Sequence, residues 1–146
     1  MKYSIELIIN KSRDEVWDTF DSVENLYKWM PTLKEFKHES GEAGQPGAKS
    51  KLIYQEGKRV FEMIETVTSR VNPEEFSGTY EMKGTKNSIK NTFTDLGENK
   101  TKWHLDSEFE FGGVYKFISP FIKGMIVKRT KTNMNSFKDL AEGKLE

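Results

Sequence analysis

Apolar residues recur at three- and four-residue steps through the last stretch of the chain: Val114, Phe117, Ile118, Phe121, Ile122, Met125 and Ile126, then Met134, Phe137, Leu140 and Ala141. That spacing lays them on one stripe of an α-helix over residues 114–141, with lysines and polar groups in the gaps. Ser119 followed by Pro120 marks the start of the main segment, a serine N-cap with proline at the first helical position, where its missing N–H costs nothing. Gly143 ends it. From Pro120 to Glu142 the helix would be about 23 residues, roughly 35 Å at 1.5 Å per residue. That is long for a chain of this size, and everything upstream is patterned as strands. The terminal helix is therefore expected to be the piece that a sheet grips.

Tyr3, Ile5, Leu7 and Ile9 alternate with Ser4, Glu6 and Asn10, broken only by Ile8, which predicts a half-buried strand. Ser12 then caps a short helix, Glu15 completes a capping box, and Val16, Trp17 and Phe20 form the apolar side. Asp21 or Ser22 opens a second short helix through Leu26, Tyr27, Trp29 and Met30. Pro31 stops it, because the residue before a proline is pushed out of the α region. From there to Glu110 the period is two. Strands are expected over 33–40, 48–56, 59–70, 76–82, 87–96 and 103–111, divided by turns at 41–47, 57–58, 72–73, 84 and 97–100. The last of them alternates most clearly, with Trp103, Leu105, Ser107, Phe109 and Phe111 on one face and His104, Asp106, Glu108 and Glu110 on the other. Trp103, Leu105, Phe109 and Phe93 are expected to point at the terminal helix. In strand 59–70 the register stays open, since Phe61 and Met63 compete with Val60 and Ile64 for the inward side. Strands in hairpin succession form an antiparallel meander, and its apolar face must be covered. The fold class that follows is α+β: a curved antiparallel sheet of about seven strands wrapped around a long C-terminal helix, with two short helices after strand one. Residues 1–146 are expected to form a single domain, with a gap near the short helices.

Lys plus Arg and Asp plus Glu number 23 each, so no net field draws the chain to nucleic acid or an anionic surface, and no nucleic-acid partner is expected. The absence of cysteine excludes disulfides, thiolate metal ligands and a cysteine nucleophile. The N-terminus has no secretory pattern, and no run approaches the roughly 18 apolar residues of a membrane span. A soluble, cytoplasmic chain without stable membrane insertion is expected, and its oligomeric state is left open.

Ser12, Asp14, Val16 and Trp17, followed by Asp21, Val23, Asn25, Trp29 and Pro31, form a pattern similar to the opening helices of the START-like, Bet v 1-like helix-grip superfamily (SRPBCC). Gly47 before the third strand, Thr101 before the seventh and the long terminal helix fit as well. Over nearly its whole length the chain resembles the polyketide cyclase/dehydrase and lipid-transport type of small bacterial domain within that superfamily. The resemblance implies a cavity between the sheet and the long helix. It supplies no catalytic residue to carry over, since the superfamily hosts lipid carriers, receptors, cyclases and co-chaperone domains alike.

Within that implied cavity the expected ligand-binding residues are Trp29, Met63, Tyr80, Met82, Phe93, Trp103, Phe109, Phe121, Met125 and Arg129, an apolar lining with few polar anchors. Arg129 falls beside the helical stripe one turn after Met125. It can meet a ligand carboxylate or phosphate inside, or snorkel to the rim. His104 reads as a solvated histidine on a polar strand face, and His38 has no second histidine at metal spacing, so no metal or cofactor is expected. The glycines from Gly41 to Gly47 with Lys49 and Ser50 do not make a phosphate loop, because a strand follows where a helix N-terminus is required. Glu62, Glu65, Glu108 and Glu110 read mostly as a solvated strand face, with Glu62 the least settled. Three functions follow. The first is binding or transport of a hydrophobic or amphipathic small molecule such as a lipid, quinone or polyketide-like aromatic. The others are a small cyclase, dehydratase or hydrolase in the same cavity, for which the sequence names no nucleophile, base and orienter, and a co-chaperone-like interaction module.

Overall fold

Short connections, two or three residues at four places and eight at residues 41–48, leave consecutive strands to pair antiparallel with their neighbours. A computed structural model of the chain describes residues 1–112 and 120–145. It runs β1 (Lys2–Ile9), α1 (Arg13–Phe20), α2 (Val23–Trp29), β2 (Leu33–Ser40), β3 (Lys49–Glu56), β4 (Arg59–Val71), β5 (Glu75–Met82), β6 (Thr85–Gly97), β7 (Lys100–Phe111) and α3 (Pro120–Ala141). The strands form one curved seven-stranded antiparallel sheet in the order β1-β7-β6-β5-β4-β3-β2. Among the described residues only the β1–β7 pairing is non-sequential. The expected helix-grip architecture is thus present. Val114, Phe117, Ile118 and the Ser119 cap of the expected helix lie outside the described residues.

The local signals act as their chemistry dictates. The Ser12 Oγ accepts the Glu15 N–H at 3.3 Å and donates to the Glu15 carboxylate at 3.0 Å, so the box closes through the hydroxyl. Ser22, the second of the two residues proposed for the cap of α2, accepts the Asn25 N–H at 3.2 Å. At the far end of α3, Gly143 takes φ 77° and sends its N–H to the Leu140 carbonyl at 3.1 Å, while Lys144 reaches Asp139 at 2.7 Å. This left-handed residue and paired bonds satisfy the last carbonyls, as a glycine C′ does.

The core is an aromatic cluster at one end of the sheet. Phe20 sits at its centre, with ring centroids 5.1 Å from Phe93, 5.9 Å from Trp103, 5.8 Å from Phe137 and 6.0 Å from Trp29. Most of these rings meet edge to face, the arrangement their quadrupoles favour. Phe93 and Trp103 are paired across β6 and β7, so both project to the same side and meet α1, α2 and α3 there. The Trp103 indole N–H donates to Asn91 Oδ1 at 2.9 Å, which removes the cost of burying it.

The grip is uneven. Met134 and Phe137, in the second half of α3, are buried against α1, α2 and β1. In the first half Phe121 is 76% exposed, Met125 50% and Ile122 45%. The helix is thus gripped over part of its length, and the short helices, beside which a gap is expected from the sequence, are instead packed on the aromatic core. The apolar periodicity is continuous, but the short helices cover only its C-terminal half. Periodicity reports which side of a helix faces inward, not how far its partners extend.

On the outward face His104 lies between two carboxylates, its Nδ1 2.9 Å from Glu6 and its Nε2 2.9 Å from Asp106. It therefore ties β1 to β7 rather than standing free in solvent. The hydrogen bonds to Asp106 and Glu6 hold its pKa above the ordinary value, against a smaller opposing effect of burial. A raised folded pKa contributes stability that is complete below the unfolded value and lost as pH rises through the folded one. Urea midpoints should accordingly fall from about pH 6 to about pH 8, and His104→Gln should flatten that part of the profile. An unchanged slope in the variant would show that the bridge contributes nothing. Among the described residues no helix is long and apolar enough to cross a membrane.

Candidate functional site

Direct pairing across antiparallel strands puts partners on the same face, so the registers read off the concave surface row by row. One row runs Ser50, Glu65, Tyr80, Asn87, Phe109 across β3 to β7. A second contains Leu52 and Met63, with Met82 paired to Thr85 and Phe111 beyond them. A third pairs Tyr54 with Phe61, whose rings stack at 5.3 Å. The aromatic core lies on the other side of the Glu65 row, toward α1 and α2. The concave face beyond the core is therefore apolar, with a polar band set across it.

The register also settles strand 59–70. Gly57, with φ 61°, and Lys58 form a two-residue turn that places Glu56 opposite Arg59. Counting inward from that pair puts Tyr54 against Phe61, Leu52 against Met63 and Ser50 against Glu65. Phe61 and Met63 win the inward side, Val60 is 60% exposed, and Glu62 faces solvent. Glu65, read from sequence as part of a solvated face, is 8% exposed and belongs to the concave surface. This is the main correction at the site. The signal was present: a two-residue hairpin turn fixes register, and the run Phe61, Met63, Glu65, Val67 carries a glutamate along an otherwise apolar face.

Burial is what most raises the Glu65 pKa, and the Tyr80 hydroxyl, which donates to this carboxyl, opposes the rise only in part. The Tyr80 phenol is pushed well up by burial, then by the charge and hydrogen bond of Glu65 and by Tyr54. Tyr54 is likewise raised by burial first and by Glu65 second, while Arg129 lowers it. The Tyr80 ring lies down along its own strand over Gly78. A Cβ there would meet the Tyr80 ring and hydroxyl at an ordinary 3.7 Å but crowd the Thr66 carbonyl at 3.1 Å, so the glycine answers mainly to the close approach of the neighbouring strand's backbone. Ser107 donates to Asn87 Oδ1 at 2.9 Å beside the band. Above it α3 is held by a 2.8 Å hydrogen bond between Tyr3 and Thr130, and by Arg129, which donates to Glu56 at 2.9 Å.

The ten residues expected to contact ligand fall into three places. Trp29, Phe93 and Trp103 are packed into the aromatic core, 7%, 1% and 1% exposed. Met63, Tyr80, Met82 and Phe109 share the concave face beyond it. Phe121 and Met125 project from the first turns of α3, and Arg129 sits at the rim with its guanidinium on Glu56. Tyr54, Ser50 and Asn87, outside the ten, share this face with Glu65, which reads from sequence as part of a solvated side until register is known.

A curved sheet closed by a terminal helix, with two short helices sealing one end, defines a START-like, Bet v 1-like helix-grip protein. The chain belongs to the polyketide cyclase/dehydrase and lipid transport family, whose model matches residues 2–142. Among solved structures it is similar to Ara h 8.0201, with 12% identity, TM-score 0.82 and 98% of each chain covered. It is also similar to a START superfamily protein from Mycobacterium smegmatis, with 14% identity, TM-score 0.80 and 97% of each chain covered. The Zhui aromatase/cyclase from Streptomyces sp. R1128 shares 11% identity at TM-score 0.79, covering 97% of this chain and 93% of that one. At such identities these likenesses show the fold alone. Curated protein sequences give no match. Family and fold together support a hydrophobic-ligand or polyketide-cyclase-type role.

Proposed function

We propose that the chain binds a hydrophobic or amphipathic small molecule between the concave face and α3. Met63, Met82, Tyr54 and Phe109 would form apolar walls, the Glu65 band a polar anchor and Arg129 the rim. The observation that carries this reading is the buried polar band on an apolar face away from the aromatic core. Buried polar groups persist where they specify something, and a few convergent ones on an apolar lining are the usual makeup of a ligand site. A native mass spectrum of gently purified protein should show the chain with one small apolar molecule, and the emptied protein should enhance 1-anilinonaphthalene-8-sulfonate fluorescence with one site per chain. A bare mass together with no probe binding would sink the proposal.

A second reading, a cyclase-, dehydratase- or hydrolase-type enzyme in the same space, draws on Glu65. A carboxyl whose pKa is raised by burial is poised to give and retake a proton. The two readings separate on Glu65→Gln. A carrier keeps its complex, whereas an enzyme keeps binding and loses turnover.

A further inference from the structure

We infer that Glu65 and Tyr80 form the recognition end of this site and take an uncharged oxygen group of the ligand, a phenol, alcohol or ketone, in preference to a carboxylate. The inference rests on the proposed binding role and names the ligand chemistry. Glu65 is 8% exposed and faces Ser50 on one side and Tyr80 on the other, both uncharged. Among the described residues no lysine or arginine forms an ion pair with it. The arginine best placed to neutralise an incoming acid, Arg129, is already held by Glu56 at 2.9 Å.

A ligand carboxylate brought to this band would give up its hydration with no cation there to pair with it, in a setting where an unpaired charge is costly. A neutral oxygen meets the opposite situation. Tyr80 donates to one Glu65 oxygen, so the carboxyl, when protonated, has its own O–H left to give to a ketone or hydroxyl oxygen. When ionised, it has lone pairs left to accept a phenolic O–H. Burial favours the first of these states. Asn87, next in the row and bonded to Ser107, adds a side chain able both to donate and to accept.

Three ring compounds of one shape test this: naphthalene, 2-naphthol and 2-naphthoate, titrated near neutral pH against the parent, Glu65→Leu, Glu65→Gln and Tyr80→Phe, each checked by circular dichroism. The expected result is 2-naphthol binding roughly tenfold tighter than naphthalene, the worth of one good hydrogen bond, with 2-naphthoate the weakest. Glu65→Leu should erase the naphthol advantage and keep naphthalene binding. Glu65→Gln, which preserves a neutral donor, should retain most of the advantage, and Tyr80→Phe should lose part of it. Equal binding of naphthol and naphthalene, a naphthol preference surviving Glu65→Leu, or naphthoate binding best would overturn the inference and leave the binding role standing. If none of the three binds, naphthalene included, the binding role falls and the inference with it.

Discussion

Trp103→Ala should unfold the chain more readily than any single change on the concave face beyond the core. Trp103 is 1% exposed and touches Phe20, Trp29, Phe93 and Phe137 at centroid distances of 5.0 to 6.0 Å. Removing a buried tryptophan costs about 3 to 5 kcal/mol in lost transfer energy and cavity formation, against a total stability of roughly 5 to 15 kcal/mol. The indole also satisfies Asn91, itself 5% exposed, so truncation leaves a buried acceptor without its donor. The thermal midpoint should drop by on the order of 10 °C. Trp103→Phe keeps most of the ring volume and loses the N–H, and should lie between the two. A loss below about 1 kcal/mol for the alanine variant in a denaturant titration would mean that the β7 register is wrong.

The second large effect contrasts two positions on one helix. Phe137 is 0% exposed and packs on Trp103 at 5.0 Å and Trp29 at 5.3 Å. Phe137→Ala should therefore cost about 3 to 5 kcal/mol. Met125, three turns earlier and 50% exposed, should lose no more than about 0.5 kcal/mol as Met125→Ala. Amide exchange should follow the same division, slow around Met134 to Leu140 and fast near Phe121, because local opening is easiest where few apolar contacts must break. Equal costs at the two positions would show that α3 is held along its length. Because Trp103 and Phe137 touch, the double variant should cost less than the sum of the singles.

These contrasts mark what the sequence could and could not disclose. The Ser12 and Ser22 caps, the stop before Pro31 and the β7 alternation are local signals. Each names the chemistry of one or two neighbouring residues, and each stands in the structure. Glu65 was illegible for a different reason. Its environment is set by Ser50, Tyr80 and Tyr54, which are distant in sequence and reach it only through the register of three strands. The turn at Gly57 and Lys58 contained that register, but hydrophobicity alone could not choose between Val60 and Phe61. The limited grip on α3 was hidden likewise, since a repeating apolar pattern does not say where its covering helices end.

Among the described residues the strand order leaves β2 at one margin of the sheet, paired with β3 and with its Phe36 N–H donated to the Tyr27 hydroxyl at 2.7 Å. A free margin offers a row of unpaired backbone groups on which another chain can grow a strand. Here the margin reads Lys34, Glu35, Lys37, His38 and Glu39, and its pairing with β3 slips between Leu33 and Glu35 and again between His38 and Ser40. An added strand would have to desolvate alternating charges and follow a ladder broken twice. The same residues that look uninformative beside the aromatic core therefore make this edge a poor template for another chain's strand.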